Sequence, residues 1–336
     1  MENPEMMQKN TMIQVATAGE ALIDLIAGPD GRFEPCLGGA VYNLTRALAR
    51  QGIETLYLNP LSKDRLGRQL AAQMVQDGVH LAVPEPVLPV TSLAVVNVDG
   101  HGHPDYAFYR EGVADRATSA DELTQACSTA EGLQLVCTGA LALSPDDALT
   151  YLPWLAAQRQ AGRTVVIDAN LRPSVMPNLD LYRRHVLTAL QYADVIKASD
   201  EDLACLALPG ADAMAQARQL LKTSRASVLA LTRGGDGAAL LTRFGQTFAA
   251  HETQPLTVLD TVGAGDCFLA GLVTAMLAHD LPPDWGAMAV ATPVAHDLLG
   301  SAIASASLCV MQRGCVPPTR AEVRAYVARG GLAFTG

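Results

Sequence analysis

Short runs of β-branched and apolar residues alternate along this chain with longer amphipathic stretches, and that alternation constrains the fold more than any single residue. The runs TLYLNPL, LQLVCTG, TVVIDANL, DVIKAS and SVLALT are too short for helices and read as strands. Between them, LGRQLAAQMVQDG and PDDALTYLPWLAAQRQAG carry helical spacing, the second stopping at Gly162. Alternation of this kind implies βαβ units and a mostly parallel sheet covered on both faces, an α/β core. Two segments break the rhythm. ALIDLIAGPDGRFEPCLGG holds a Pro-Asp-Gly turn between extended arms, and SLAVVNVDGHGHPDYAFYR reads as a hairpin around DGHGHPD. Together they are expected to form a small β-sheet standing off the main body. With no long linker, low-complexity tract or repeat, a second globular domain is not expected. The core is assigned to 12–24, 40–90 and 116–330, and the small sheet to 25–39 and 91–115.

Composition narrows the function. A chain of 336 residues, 49% hydrophobic and 17% charged, can bury a full core without disulfide or metal staples. Its formal charge of −10 opposes general binding to nucleic acid or anionic lipid, so an anionic ligand must be held by local devices. The first dozen residues are polar, no run of eighteen apolar residues follows, and seven cysteines occur without a CxxC pair. These features predict a soluble, cytoplasmic protein whose cysteines are mostly small core residues. His101 and His103 stand two apart in a turn-rich hairpin tip, where solvated side chains are expected rather than metal ligands.

Neither GxxxxGK[ST] nor a strand-to-helix GxGxxG is present. LDTVGAGDCFLAGL instead places Gly263, Ala264 and Gly265 before a helix expected from about Asp266 to His279. Glycines let backbone amides face outward, and the helix dipole adds partial positive charge there, which makes an anion cradle. A carboxylate in such a cradle suits a general base that deprotonates a hydroxyl attacking phosphorus. An acid at a helix start also serves simply to complement the dipole, and the residue alone does not separate the two.

The wider pattern does. DTVGAGD resembles the D-T-x-G-A-G-D signature of the ribokinase/PfkB family of sugar kinases at every specified position, and GGAVYNLTRALARQG resembles that family's substrate-binding segment. DANLRP is similar to its D-x-N-x-R segment, and LTRGGDG to its T-x-G-x-x-G nucleotide loop. The resemblance spans nearly the whole chain. It implies a ribokinase-like three-layer α/β/α core with a β-lid, and transfer of the ATP γ-phosphate to a sugar hydroxyl.

By that resemblance Asp266 is the base, and the amides of Gly263, Ala264 and Gly265 stabilise the migrating phosphoryl group. Asp24, Gly38, Gly39 and Asn43 are implied to meet the sugar, and Arg172 to lie near the active site, where an ion pair is its plainer use. Thr232, Gly234 and Gly237 are implied to approach the ATP phosphates, and Lys197 to meet one as a point charge. SAIASASLCVMQRGC is read as a small-residue helix beside the adenine. A divalent ion is implied because ATP must be neutralised, and Mg2+ binds through phosphates, waters and one or two carboxylates. The family's N-x-x-E motif is replaced here by Ser199, Asp200, Glu201 and Asp202, and Glu201 and Asp202 are taken as its acids. A monovalent cation, K+, is implied near Asp260 and the backbone around Val262.

GEALIDL and YAFYREGVAD look most like the fructokinase branch, with Phe108, Tyr109 and Arg110 facing the sugar. An arginine there also suits a sugar acid, so 2-keto-3-deoxygluconate is the competing acceptor. Tyr42 and Val41 are bulkier than the residues often found between the glycines and the asparagine, which bears on pocket shape. A regulator that binds sugar or nucleotide without catalysis is the reading from another class, which the intact Asp266 and glycines oppose. Lid hairpins in the family often pair between subunits, which implies a homodimer.

Overall fold

The computed structural model describes residues 12–28, 30–98 and 104–336. The first residues, Pro29 of the first turn, and the hairpin tip with His101 and His103 lie outside them. In chain order the strands are β1 (Val15–Thr17), β2 (Leu22–Ala27), β3 (Phe33–Gly38), β4 (Thr55–Tyr57), β5 (His80–Leu81), β6 (Ser92–Val98) and β7 (Pro104–Tyr109). They continue as β8 (Leu135–Gly139), β9 (Thr164–Asp168), β10 (Val195–Ser199), β11 (Val228–Thr232), β12 (Ala238–Thr242), β13 (Thr247–Glu252) and β14 (Leu332–Thr335). The α-helices are α1 (Ala40–Arg50), α2 (Arg65–Gln76), α3 (Ala120–Thr129), α4 (Ala148–Gln160), α5 (Leu179–Leu190), α6 (Asp200–Leu206), α7 (Ala213–Thr223), α8 (Ala264–Ala278), α9 (Thr292–Val310) and α10 (Arg320–Ala328).

Ten strands form one sheet in the order β14-β13-β12-β11-β10-β9-β8-β1-β4-β5. From β11 to β5 all neighbours are parallel, and β12, β13 and β14 extend the other edge antiparallel. The five strands expected from the sequence are all here, β4 and β9 trimmed at their ends and β8, β10 and β11 at their starts. Central strands such as β9 and β11 are buried along their length because helices cover both faces. On one face α3, α4, α5 and α7 close a core around Trp154, Tyr182 and Leu229; on the other α1, α8 and α9 close a second around Leu269, Phe268 and Leu298.

Helix α8 is apolar nearly all round, and its residues from Asp266 to Met276 are buried between α1, α9 and the sheet. Each fully buried leucine or phenylalanine contributes about 1.5–3 kcal/mol. The N-terminus of α8 is therefore anchored to one of the best-packed elements of the molecule. Helix α9 is long and apolar enough on composition alone to cross a membrane, but much of it is buried in this second core.

The second sheet has four strands, ordered β3-β2-β6-β7. Two antiparallel hairpins, β2–β3 and β6–β7, meet through a parallel β2–β6 pairing. The boundary expected after residue 24 needs correction, because it cuts β2: Leu22 already pairs with Gly38 and Ser92, so the whole strand belongs to the smaller sheet.

Candidate active site

Alternation along the small sheet decides what it presents to the main body. Leu22, Asp24 and Ile26 share one face of β2, and Val96 and Phe108 lie on the same face across the register. These five cover a cavity of about 260 Å³. Its floor is built by Glu20, Gly39 and Asn43 around the start of α1, by Asn170 and Arg172 after β9, and by Thr261, Val262, Gly263, Gly265 and Asp266 at the tip of α8. Gly38 does not line the cavity. A Cβ there would lie 2.1 Å from Asp24 Oδ2, so glycine is required to let that carboxylate rest against the neighbouring strand. This corrects the expectation that Gly38 brings its backbone to a sugar.

Asp266 is buried in the first turn of α8. Its Oδ2 accepts from Asn43 Nδ2 at 3.0 Å, and its Oδ1 faces Asn170 Nδ2 at 3.5 Å. Burial pushes its pKa up from 3.8 to about 6, while the Asn43 hydrogen bond, Lys197 and Arg172 pull against that rise. Asn170 adopts φ +37°, a left-handed conformation that asparagine tolerates, and Arg172 Nη1 holds its Oδ1 at 2.6 Å. Arg172 thus steadies the group that steadies Asp266. Asn43 Oδ1 is buried without a partner, which leaves one acceptor in the site.

Two further carboxylates stand nearby. Burial raises Asp24 to about 6 against the pull of Arg172, and raises Glu20 to about 7 against that of Arg110. Glu20 Oε1 accepts from the Ala40 amide at 3.0 Å, and its Oε2 has no partner. Glu20 and Asn170 were not singled out from the sequence, although both sit inside quoted motifs, GEALIDL and DANLRP.

The helix starts at Ala264, two residues earlier than expected, with Gly263 as N-cap at φ +78°, a left-handed conformation that suits glycine. Ala264 N donates to Thr261 O at 3.2 Å. Ala264 therefore spends its amide within the turn, which corrects its expected place among the free donors. Gly263 and Gly265 remain as donors of the turn, with no intramolecular acceptor among the described residues.

A second cavity, about 570 Å³, opens on the other side of that turn. Thr232, Gly234 and Gly237 line it at one end, and Leu256, Val258, Phe268, Ile303, Ala306 and Val310 give it apolar walls. The α9 residues face it as the small-residue pattern suggested. Thr261 and Gly265 line both cavities, while Asp266 lines only the smaller. Two compartments thus meet at Thr261 and Gly265 with a carboxylate on one side, the layout needed to pass a group from one ligand to another.

Such a layout is the expectation for a sugar kinase, and comparison with known proteins decides the family. The pfkB family carbohydrate kinase pattern matches residues 12–321. The chain belongs to that family. It is a carbohydrate kinase, a phosphotransferase that acts on sugar hydroxyls. A fructokinase of Salmonella typhimurium is 30% identical over 279 residues, 82% of this chain and 88% of that protein. One from Vibrio alginolyticus is 28% identical, covering 95% of this chain and 100% of its own. The crystal structure of a Xylella fastidiosa fructokinase with bound ATP has a TM-score of 0.80 at 25% identity, covering 95% of this chain and 99% of that one. A Vibrio cholerae O395 fructokinase in fructose, ADP and calcium ion bound form shares the fold, with a TM-score of 0.76 at 23% identity over 94% of this chain and 99% of that one.

Several expected ligands of this pfkB kinase are placed elsewhere. Arg110 does not line the smaller cavity: its Nη1 lies 3.3 Å from Asp147 Oδ2 and its Nη2 3.8 Å from Asp115 Oδ2. Tyr109 falls on the outer face by the same alternation and is 61% exposed. Lys197 is buried and does not line the larger cavity, its Nζ lying 3.0 Å from Asp168 Oδ2. Even so, a Cβ on Gly265 would lie 2.8 Å from that Nζ, so the ammonium sits directly behind the turn. Burial pulls Lys197 down, but Asp168, Asp202 and Asp266 outweigh it and hold the group charged.

Asp202 is buried and lines neither cavity, so it does not stand where an acid would organise magnesium. Its Oδ1 accepts from Leu171 N at 2.7 Å, and its Oδ2 accepts from Ser199 N at 2.8 Å in a capping box that starts α6. Glu201 is exposed and lines neither cavity. Asp260 Oδ1 accepts from Val262 N at 3.0 Å and its Oδ2 from Gly314 N at 2.9 Å, tying the turn to the loop after α9.

Proposed function

We propose that this kinase transfers the γ-phosphoryl group of ATP to a hydroxyl of fructose. The observation that carries the reading is the junction of the two cavities at Thr261 and Gly265, with Asp266 on the smaller side alone. ATP occupies the larger cavity, its base against the apolar wall from α9 and its phosphates toward Thr232, Gly234 and Gly237. The sugar lies beneath the lid, its hydroxyls donating to Asp24, Glu20 and the free Oδ1 of Asn43, and Phe108 covering it. Asp266 takes the proton of the attacking hydroxyl, while the amides of Gly263 and Gly265 meet the charge that develops on the transferred group. Lys197, behind the turn, adds positive potential without touching phosphate. Arg172 positions Asn170 and, through it, Asp266.

Fructose is favoured over a sugar acid for an electrostatic reason. Glu20, Asp24 and Asp266 make the cavity rich in acceptors and outnumber its one arginine, Arg172, whose Nη1 is engaged by Asn170, and Arg110, which would have clamped a ligand carboxylate, is paired elsewhere.

The residues of the nucleotide cavity do not form a protein cage for magnesium, since Glu252 is its only lining carboxylate and its Oε1 accepts from Tyr326 at 2.8 Å. Mg2+ is accordingly proposed to arrive with ATP, held by phosphates and water, where it neutralises charge. Asp260 keeps a further lone pair on each oxygen after accepting its two amides, and K+ is proposed beside it. A cytoplasmic homodimer paired through the lid is part of the same reading, supported by the seven free thiols and by β3, an edge strand whose Phe33 is 50% exposed.

The test is ADP release by purified protein with Mg-ATP and, in parallel, fructose, ribose, tagatose, adenosine and 2-keto-3-deoxygluconate. Turnover with fructose well above the others is expected. A dominant sugar-acid signal overturns the substrate and spares the kinase.

A further inference from the structure

Three cysteines far apart in the sequence converge behind the anion turn. Cys267 lies in the first turn of α8, Cys309 in the last turn of α9 and Cys315 in the loop that follows, and their Sγ atoms all lie within 4.8 Å of one another. Nothing in the spacing of the seven cysteines signals this, and the expectation of scattered core thiols does not hold for these three. Cys267 and Cys309 are fully buried, whereas Cys315 is half-buried. None of the three lines either substrate cavity.

We propose that Cys267, Cys309 and Cys315 form a binding site for a thiophilic divalent d10 ion, of the zinc or cadmium class, whose occupancy restrains the turn. Zinc–sulfur bonds are about 2.3 Å long, so three sulfurs on one ion stand roughly 3.7–4.0 Å apart. Sulfurs already within 4.8 Å of one another need only small movements to reach that geometry. Three protein ligands leave a fourth position for water. Binding forms three metal–sulfur bonds and releases the three thiol protons to solvent, with no change of oxidation state.

The site bears directly on the turn. Cys309 Sγ donates to Val262 O at 3.6 Å, and Cys315 Sγ occupies the space that a Cβ on Gly263 would need, 2.3 Å away. Cys267 follows Asp266 in sequence. Drawing these sulfurs onto one ion therefore shifts or stiffens Val262 and Gly263, and inhibition of phosphoryl transfer is the expected consequence. That consequence rests on the proposed reading of the turn; the binding itself does not.

The experiment is a titration of the reduced full-length protein with Cd2+, following the ultraviolet thiolate-to-cadmium charge-transfer band and the melting temperature, and then sugar-dependent ADP release with and without Cd2+. Expected are one ion per chain, a raised melting temperature, and inhibition reversed by a chelator. Cys315→Ala should keep basal turnover, weaken binding at least 100-fold and remove the inhibition, while Cys36→Ala, a half-buried thiol outside the cluster, should behave as the parent. Absence of the band, or equal affinity in Cys315→Ala, overturns the site. Tight binding with unaltered turnover overturns its coupling to the turn. If no sugar supports turnover, the spectroscopic and melting measurements still decide the site, and only the kinase reading falls.

Discussion

Replacing Asp266 by asparagine separates the chemistry of the site from its stability, because the two should move in opposite directions. The substitution keeps the shape of the side chain: an amide oxygen can still accept from Asn43 Nδ2, now at 3.0 Å from Asp266 Oδ2, and the contact given up is the longer one, in which Asn170 Nδ2 donates at 3.5 Å. What is lost is the proton acceptor. A positioned general base contributes about 10²–10⁴ in rate, or about 3–5 kcal/mol of barrier, so kcat should fall by that factor while ATP still binds. Stability should rise. Burial raises this carboxyl from 3.8 to about 6, and the side chain is only 6% exposed. A carboxyl with a raised folded-state pKa stabilises fully below its unfolded value and loses that contribution as pH rises through the folded value. At 1.36 kcal/mol per pH unit, ionising it at pH 8 costs on the order of 3 kcal/mol, which asparagine does not incur. The assay pairs steady-state ADP release with thermal melts at pH 8 and pH 5. The variant should melt higher than the parent at pH 8, with the gap narrowing at pH 5. Near-parental turnover refutes the base, and a variant less stable than the parent by the same margin at both pH values refutes the burial argument.

Other consequences follow from the same geometry. The pH profile of kcat/KM for the sugar should fall as pH drops through about 6, where Asp266 gains its proton, and Asn43→Ala should move that limb upward because its hydrogen bond holds the carboxyl down. Glu20→Gln keeps an acceptor for the Ala40 amide but replaces the unpartnered oxygen with a donor; KM for the sugar should rise about 10–100-fold with kcat little changed, read from initial rates. Lys197→Met strands Asp168 in the core and should cost about 3–5 kcal/mol at pH 8. Asp168, already raised to about 7 by burial, takes up a proton below that value, so melts at pH 5 should show a smaller loss.

The sequence revealed the α/β core and the turn because both are local. Strand and helix periods repeat over a few residues, and DTVGAGD occupies one loop and one helix start. Arg110, Lys197 and Asp202 were misplaced for the converse reason, since each is governed by partners that only the fold supplies. Arg110 shares the inward parity of Phe108, yet Asp115 and Asp147, from other elements, capture its guanidinium. Asp202 stands where a ligand acid was expected, but a serine three residues earlier turns it into a capping box. That signal was available, as serine followed three positions later by an acid before apolar residues is a helix start in its own right. The three-cysteine cluster had no such signal, because its members come from two helices and a loop.

The charge arrangement around the turn explains why the buried lysine is more useful than an exposed one. Asp24, Asp266 and Glu20 line the smaller cavity and Asp168 is buried next to Lys197, against Arg172 in the cavity and Lys197 in the core. Burial lifts the carboxyls toward neutrality, and Asp266 adds to the rise at Asp24 and Asp168; in that range a base can both lose its proton before the reaction and take one during it. An exposed lysine would be hydrated and would grip phosphate before and after transfer alike. Held behind Gly265 by Asp168, Lys197 cannot move toward a ligand, so its field acts on whatever charge develops at the two free amides. On the proposed reading, stabilisation is then concentrated on the migrating group, and the difference between bound ATP and the transition state would lower the barrier.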